Sequence, residues 1–526
     1  MNLARWVFVA LWIGGLGMGL PGSAFSLPPK EGMPDNVVES YRQSIQAAES
    51  GKEKARLHKE LGDLFSSRGE IRNAGEEYAK ALSLDRGFSR EDRLKMARYL
   101  SWSDRIDDAI RELDAILAED PGNIDARIHL ARCLSWKGKL RRSIEETDKV
   151  LAISPDNRDA LLAKANSLKW AGNKNAALSI YKGLLQNQED FDTRLGLSQA
   201  YLSDGFLRGA REGAGRLKPV YPYQETEARN LYAEIKKATR PVLDLASGYY
   251  DDSDDNQLYR YGLTAGFWAM NWKIDLGYRH TDAEDPSRNT RNEDLSVNAY
   301  SRVTERIGLG GGIGINQTGN GDSAFYLEGR LRVDANLGQG KIGASAAREV
   351  FAETAQLIEN RIRYTTLSSY FEYPLPYRFT FRANYTYKDY SDDNHANDWG
   401  GSLGHTFERK NPVIALGYKA RYLDFHRETG SGYFDPGDFL SHLGFVAFSY
   451  EHARWYTYLE PFYGHQSFKR QGVDHDDWIW GGNGTIGIRF RENISLEANG
   501  EGGNYAVGTA AGFNYFLVGV RLRAGF

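Results

Sequence analysis

Two short groups of side chains have residue types that could do chemistry, and neither has the spacing that an active site needs. Ser441 and His442 match a nucleophile and its base. In a strand, however, adjacent side chains point to opposite faces, so these two cannot pair. The run 474–477 places a histidine among carboxylates and could bind a metal ion, but we interpret it as the solvated rim of a loop. We therefore predict no catalytic residue, no metal site and no cofactor, and we expect that the protein is not an enzyme.

A third group is basic and recurs along the C-terminal half of the chain without forming one patch, which argues against a nucleic-acid partner. In the segment 378–388, Phe379 and Phe381 fall on one face of a strand, while Arg378 and Arg382 fall on the other. If the aromatic face meets lipid, the basic face lines a lumen. The predicted lumen residues that could bind a substrate are Arg330, Arg332, Arg361, Arg363, Arg378, Arg382, Arg421, Arg489, Arg521 and Arg523.

The same alternation assigns fewer acidic than basic residues to the lumen; the acidic candidates include Glu328 and Glu460. A basic lumen would attract an anionic polymer. Alternatively, each arginine pairs with a glutamate across the barrel and only makes the wall more rigid. The sequence leaves both interpretations open.

The elements that would position these residues are strands. Sixteen alternating segments follow Pro241, an even number as expected for a bacterial single-chain barrel. Their connections alternate between short ones, such as 374–376, and long ones, which we expect at 282–292, 351–360, 426–438 and 469–477. The last segment places Phe516, Val518, Val520 and Leu522 toward lipid and ends on an aromatic residue, Phe526. We therefore predict an outer-membrane barrel whose two ends of chain both face the periplasm.

The half before residue 240 repeats every 34 residues. Trp102, Trp136 and Trp170 share that spacing, which is the tetratricopeptide period. The tryptophan row is a candidate binding face for sugars; the alternative is that each tryptophan packs between neighbouring repeats. Cys133 shares the frame and is predicted to be a small buried residue.

The N-terminus is predicted to be a signal peptide. Arg5 precedes an apolar run that ends at Leu20, and small residues follow it. Hydrophobic residues make up 41% of the chain and the mean hydropathy is −0.55, as expected where only every second strand residue faces lipid. The predicted fold class is α+β with two domains. The predicted parts are a signal peptide at 1–24, a tetratricopeptide-repeat α-solenoid at 34–239, and a 16-stranded antiparallel transmembrane β-barrel at 241–526.

Two motifs resemble those of a known family. The repeat segments Ala97–Trp102 and Ala131–Trp136 both fit the pattern A-R-x-L-S-W, and they resemble repeats that precede outer-membrane barrels in exopolysaccharide export systems and in YaiO-type proteins. The segment Gly430–Phe439 is similar to a G-Y-[FY]-x-P-x-x-[FY] loop in barrels that export cellulose and related polymers, the poly-N-acetylglucosamine type among them. In those families the repeats lie in the periplasm and the barrel passes the polymer. The resemblance implies that Tyr433, Phe434 and Phe439 line or gate the exit; packing of this loop onto its own barrel wall is the alternative.

The sequence thus favours an outer-membrane porin that exports an exopolysaccharide, anionic if the lumen is basic. Its periplasmic repeats would dock a protein partner or guide the polymer, and its barrel would contact outer-membrane lipid. A scaffold whose barrel only anchors the repeats is the second hypothesis, and a porin for small solutes is the third. The number of repeats is smaller than in cellulose-type exporters, which leaves the identity of the polymer open.

Overall fold

A computed structural model describes residues 36–320, 323–408, 411–470, 472–504 and 514–526. The predicted signal peptide lies outside these residues. The chain divides into two compact units, one helical up to Lys237 and one that runs from Ala238 to Phe526. The last helix of the first unit ends at Ala238 and the first strand of the second begins at Val242. No helix among the described residues is long and apolar enough to cross a membrane.

Antiparallel helix pairs build the first unit, and capping residues at the repeat spacing begin several of its helices. Ser89, Asn123 and Asn157 each accept a hydrogen bond from a backbone N–H in the first turn of the helix that follows. The helices are α1 (Asn36–Ala47), α2 (Gly51–Ser67), α3 (Ile71–Leu84), α4 (Arg90–Trp102), α5 (Ile106–Glu119), α6 (Ile124–Trp136), α7 (Leu140–Ile153), α8 (Arg158–Trp170), α9 (Lys174–Asn187), α10 (Phe191–Ser203), α11 (Leu207–Gly215) and α12 (Pro222–Ala238).

Small residues let the paired helices approach closely. The ring of Tyr78 on α3 lies against Gly62 on α2, where an added Cβ would stand 2.6 Å from the ring. Tyr181 on α9 lies in the same way against Gly196 on α10. Both tyrosines are fully buried, so the tight contacts are part of the core of the repeats.

The second unit is a closed barrel in which each strand pairs antiparallel with its neighbours and β1 pairs with β16. The strands are β1 (Val242–Asp252), β2 (Gln257–Ala269), β3 (Trp272–Asp285), β4 (Arg288–Arg302), β5 (Ile307–Thr318), β6 (Ala324–Leu337), β7 (Gly340–Val350), β8 (Arg363–Pro374), β9 (Phe379–Tyr390), β10 (His395–Glu408), β11 (Val413–Phe425), β12 (Gly437–Glu451), β13 (Trp455–Arg470), β14 (Val473–Arg491), β15 (Ile494–Gly503) and β16 (Tyr515–Gly525). The short helix α13 (Ala355–Glu359) lies between β7 and β8. The predicted fold class, helical repeats followed by a 16-strand antiparallel barrel, is confirmed.

The outer face of the barrel is apolar. Phe325, Leu327 and Leu331 on β6 are each exposed by two thirds or more of their side-chain surface, which is the surface that lipid covers. Trp399 and Trp478 add exposed aromatic rings of the kind found at membrane interfaces. A closed barrel with an apolar exterior identifies an outer-membrane protein, because lipid tolerates no open strand edge.

For two of the four long loops expected from the sequence, the prediction is wrong, because strands occupy most of these segments. Residues 282–292 belong mostly to β3 and β4, and residues 469–477 belong mostly to β13 and β14. These segments are polar because the strands continue past the apolar band, where outward side chains meet water. Across the tight turn of the first, Arg288 contacts the carboxylate of Asp285 at 2.9 Å. Polarity therefore indicated the water boundary and not the end of the strand.

Candidate functional site: the lumen and its mouth

The barrel has two different ends. We call the end where β1 begins and β16 finishes the terminal end, and the opposite end, which carries the connections β7–β8 and β11–β12, the loop end. On each strand the face opposite the lipid-exposed residues is directed into the lumen. The side chains that line this lumen, and the loops that cross its mouth, form the candidate site.

Seven of the ten predicted lumen arginines contact a carboxylate, and so they are paired. Arg330 contacts Glu349, Glu328 and Asp294. The other six pairs are Arg332–Asp334, Arg382–Glu372, Arg421–Asp398, Arg489–Glu451, Arg521–Asp244 and Arg523–Asp244. Of the remaining three, Arg363 stacks on the ring of Tyr326, Arg378 donates to the carbonyl of Phe407, and Arg361 lies in the loop before β8.

The acidic partners were largely missed by the sequence interpretation. Asp244, Asp294, Glu372 and Asp398 share the inward face with the arginines but were not assigned to the lumen. These carboxylates reduce the excess of basic lumen residues expected from the sequence. The signal that could have found them is the same alternation: Asp244 lies two residues from Ala246, which pairs with Arg521 on β16.

Near the terminal end and at mid-height, paired charges surround the lumen; we call this group the terminal ring. It consists of Asp244, Arg521 and Arg523; Lys273 and Asp275; Arg302, Arg332 and Asp334; Glu372 and Arg382; Lys419 and Glu460; Arg489 and Glu451; and Glu497. These are eight cations and seven carboxylates, and Lys341 on the inward face of β7, opposite Glu372, adds a ninth cation, so most of the positive charge at this end is balanced.

Three tyrosines of the barrel wall donate hydrogen bonds to carboxylates of the terminal ring. Tyr300 donates a hydrogen bond to Asp334 at 3.2 Å, Tyr456 donates to Glu497, and Tyr458 donates to Glu460. A carboxylate that accepts from a tyrosine and also faces a cation is held in a fixed position.

The loop end is closed by two segments that pack into the mouth. The first is the hairpin 351–362 with its helix α13. Ile358 and Ala355 pack with Leu258 and Ala283, which belong to β2 and β3. These strands lie four to six places from β7 and β8 in the closed order, and the same cluster includes Tyr250 of β1 and Tyr515 of β16, so the hairpin extends over the mouth. Glu359 contacts Arg288 at 3.3 Å, and a second ion pair joins Glu353 to Arg260.

The second segment is the loop 426–436, which is fastened to its own wall. Asn394 is fully buried and donates to the carbonyl of Arg427 at 2.8 Å and to the hydroxyl of Tyr433 at 3.0 Å. Tyr433 donates in turn to Asp392 at 2.9 Å. Burial and the nearby Asp392 raise the pKa of Tyr433, so the hydroxyl stays protonated and able to donate.

The two segments bind each other and together form what we call the plug. Gln356 and Asn360 each donate a side-chain hydrogen bond of 3.0 Å, to the carbonyls of Gly430 and Ser431. Leu357 packs with Tyr433 in one apolar cluster. The plug therefore has an apolar centre and polar contacts at its edge, as a small folded unit does.

Tyr433, Phe434 and Phe439, the predicted exit residues, are all buried in this plug. Tyr433 stacks on Tyr390 with ring centroids 4.6 Å apart, and Phe434 meets Phe468 edge to face at 5.2 Å. Their exposed fractions are 2%, 1% and 0%, so they do not line an open exit in this structure. They hold the mouth closed.

In the repeats, the three predicted tryptophans occupy different environments. Trp102 lies edge to face with Tyr99, and Trp136 packs against the main core of the repeats. Trp170 is 42% exposed, with Lys169 over its ring at 5.4 Å. Only Trp170 therefore presents a substantial surface to a ligand.

Lys169 and the end of the repeats form a second candidate surface. The ammonium of Lys169 donates to Gln199 at 2.8 Å, and burial lowers the pKa of Lys169 to about 8. Burial also raises the pKa of Glu227 and of Glu234 on α12, both of which interact electrostatically with Lys169. Cys133 is fully buried and burial raises the pKa of its thiol to about 12, as expected for a core residue.

Among the described residues, no group of three or more His, Cys, Asp or Glu side chains is arranged to hold a metal ion. Ser441 is inward and buried, whereas His442 on the same strand is exposed on the outer face. The ring of His465 forms a hydrogen bond with Asp476 on the outside of the barrel. Asp476 belongs to the run 474–477, which the sequence offered as a possible metal-binding loop. None of these arrangements brings a nucleophile and a base together.

The tetratricopeptide repeat family model matches residues 103–167. Among solved structures, the chain is similar to a bacterial polysaccharide outer membrane secretin at 12% identity and a TM-score of 0.46, covering 55% of this chain and 99% of that one. CdiB from Acinetobacter baumannii is similar at 9% identity and a TM-score of 0.38, with 55% and 60% covered.

A tetratricopeptide repeat protein from Parabacteroides merdae is similar at 18% identity and a TM-score of 0.33, with 38% and 78% covered. No curated protein sequence matches the chain. The similar structures thus include a polysaccharide outer membrane secretin, and exopolysaccharide export is also the system that the two sequence motifs resemble. At these scores, however, the similarity by itself assigns no function.

Proposed function

We propose that this protein is an outer-membrane porin that exports an exopolysaccharide, with its repeats in the periplasm. The observation that carries the proposal is the construction of the lumen: a 16-strand barrel, wide enough for an aqueous channel, is lined by polar side chains and is closed at one end only by loops. A barrel that served only as an anchor needs neither a lumen-wide ring of polar groups nor a separately folded plug. Loops that pack into the mouth of a barrel can be displaced, whereas a lumen filled by the side chains of its own strands cannot be opened in this way.

In outer-membrane barrels the turns on the periplasmic side are short and the loops on the outer side are longer. The terminal end, where the chain enters and leaves the barrel, then faces the periplasm, and the loop end faces outward. The repeats then stand on the side from which a polymer arrives. Stacked repeats form extended binding surfaces, and we propose that they dock a protein partner or guide the polymer. Trp170, which is 42% exposed, belongs to the part of the repeats that is available for this contact.

The experiment is deletion of the gene, followed by complementation with the full chain and with a chain that lacks residues 353–360. Loss of surface polysaccharide on deletion, restored by the full chain, is the expected result. The shortened chain is expected to restore export and to sensitise cells to bulky solutes, because the plug is missing. Unchanged surface polysaccharide after deletion would count decisively against export.

The second candidate function is a scaffold whose barrel only anchors the repeats, which a permanently closed plug would permit. The two differ in current through planar bilayers. A scaffold stays non-conducting after the plug is removed, whereas an exporter conducts ions.

A further inference from the structure

The terminal ring presents fixed hydrogen-bonding groups at the entrance of the lumen, and most of its positive charge is balanced by carboxylates. Some of its carboxylates lie beneath their cations: the side chain of Asp334 is 7% exposed, whereas that of Arg332 is 43% exposed. In the pair Arg489–Glu451 the two side chains are about equally exposed, at 28% and 32%. Passing solutes therefore meet guanidinium and ammonium donors whose charge is balanced by neighbouring carboxylates. This differs from a lumen with free cations, which would attract any polyanion.

On one wall, Tyr300 keeps this arrangement rigid. Its ring lies across Gly308 and Gly310 on β5, where an added Cβ at Gly308 would stand 2.3 Å from the tyrosine oxygen. Arg332 lies over the same ring at 5.5 Å and contacts Asp334 at 3.3 Å. The tyrosine is thus sandwiched between the glycines of the wall and the guanidinium that faces the lumen.

The opposite wall repeats the construction. Tyr456 lies across Gly487 on β14, where an added Cβ would stand 2.1 Å from the ring. Arg489 lies over this ring at 4.6 Å and contacts Glu451 at 2.5 Å. Tyr300 is on β4 and Tyr456 is on β13, which are nearly half a circumference apart in the closed order of strands. One chain that enters the lumen would meet both sites.

We infer that the terminal ring is a binding subsite for an uncharged, hydroxyl-rich polymer. Planar guanidinium groups in fixed orientation donate to hydroxyl, ether and amide oxygens without needing a formal negative charge on the ligand. A polyanion would have to compete with the carboxylates that already occupy the same guanidinium groups, the buried Asp334 among them, and separating a buried pair is costly. The inference rests on the proposed export function and replaces the anionic cargo that a basic lumen would have favoured.

The test is calorimetric titration of the full-length protein in detergent with two hexasaccharides, a neutral glucan and hexagalacturonate. We expect the neutral hexamer to bind more tightly than the anionic one. Arg332→Gln combined with Arg489→Gln is expected to weaken neutral binding at least tenfold, because both donors are lost while the two tyrosine rings remain packed. Tyr463→Ala, on the lipid-exposed face, is the matched control and is expected to bind as the unaltered chain does.

Tighter binding of hexagalacturonate, or equal neutral binding by the double arginine variant, would overturn the inference. Tyr300→Ala with Tyr456→Ala provides a second variant, in which the guanidinium groups lose their support and the neutral affinity should also fall. Folding of each variant is checked by the shift in gel mobility on heating that intact barrels show. If gene deletion leaves surface polysaccharide unchanged while the wild-type protein still prefers the neutral hexamer, the export proposal fails and the subsite stands.

Discussion

Replacing Leu357 and Ile358 with asparagine is expected to open the mouth of the barrel. Both side chains are fully buried. Leu357 packs toward the loop 426–436 and Ile358 packs toward the wall formed by β2 and β3, so the two residues hold the two sides of the hairpin. An amide side chain in either pocket loses the apolar contact and leaves polar atoms without hydrogen bonds.

The size of the effect follows from the burial. A fully buried leucine or isoleucine contributes about 1.5–3 kcal/mol, so the double replacement removes about 3–6 kcal/mol from the closed plug. The hydrogen bonds from Gln356 and Asn360 remain and contribute about 1 kcal/mol each. A change of about 5.5 kcal/mol moves an equilibrium from 99:1 to 1:99. The replacement is therefore large enough to convert a mostly closed plug into a mostly open one.

The assay is single-channel recording of the purified protein in planar bilayers. The unaltered chain is expected to conduct rarely, and the double variant to conduct in long open periods. Glu359→Gln is the control within the same hairpin: its carboxylate is half exposed, and the pair with Arg288 at 3.3 Å contributes at most about 1 kcal/mol. It should leave the closed state dominant.

A folded double variant that never conducts would refute the reasoning. It would mean that the lumen is blocked below the plug, and it would favour the scaffold function. Frequent opening of the Glu359→Gln variant would equally contradict the energies assigned above, because it would make the surface ion pair the main latch.

Three further predictions concern the repeats and are checked by thermal unfolding of the helical signal of the full-length protein in detergent. Asp104 has φ 67° in a turn where Gly138 has φ 70°, so Asp104→Gly is expected to stabilise the repeats by about 0.5–1 kcal/mol; a lower melting temperature would contradict this. Gly196→Ala should destabilise by about 1–3 kcal/mol, because the new Cβ would stand 2.7 Å from a tyrosine ring, while Gly183→Ala, with nothing within 4 Å, should stabilise slightly; equal effects would be inconsistent with the packing. Burial lowers the pKa of His129 to about 3, below the unfolded value of about 6.5, so the unfolded chain binds the extra proton and stability falls as pH drops from 6.5 toward 3, by at most about 1.4 kcal/mol per pH unit; the same pH slope in His129→Gln would show that another group is responsible.

Periodicity predicted the elements of this protein because it reports local geometry. The 34-residue spacing of Trp102 and Trp136 located the repeats, and alternation located the strands and assigned the lipid face of β16, where Val518 and Val520 are indeed exposed. The same spacing did not predict environments. Trp136 packs against the core, whereas Trp170, at the same repeat position, is exposed. Which neighbour covers a repeat position is a property of the next repeat, and the period does not encode it.

The pairing of side chains inside the lumen was not predicted, although the alternation that placed the arginines could also have placed their partners. Arg330 and Arg332 were placed on the inward face from the sequence, but their partners Glu349 and Asp334 were not paired with them. The hairpin 351–362 was recognised only as a loop, because its apolar residues are too few to show a period. Its role depends on Ile358 reaching β2 and β3, which are four to six strands from β7 and β8 in the barrel order, and no local pattern can specify this contact.

The two ends of the lumen are held by different kinds of contact, and this difference favours transport over anchoring. At the terminal end, Tyr300 and Arg332 are fixed between glycines of the wall and a buried carboxylate, so this end can keep its shape while a polymer passes. At the loop end, closure depends on the hairpin around Leu357 and on its hydrogen bonds to the loop 426–436, which can separate without disturbing a strand. Directional passage of a long chain requires an entrance that is rigid and binds the polymer, and an exit whose loops can separate. A barrel that only anchors the repeats needs neither.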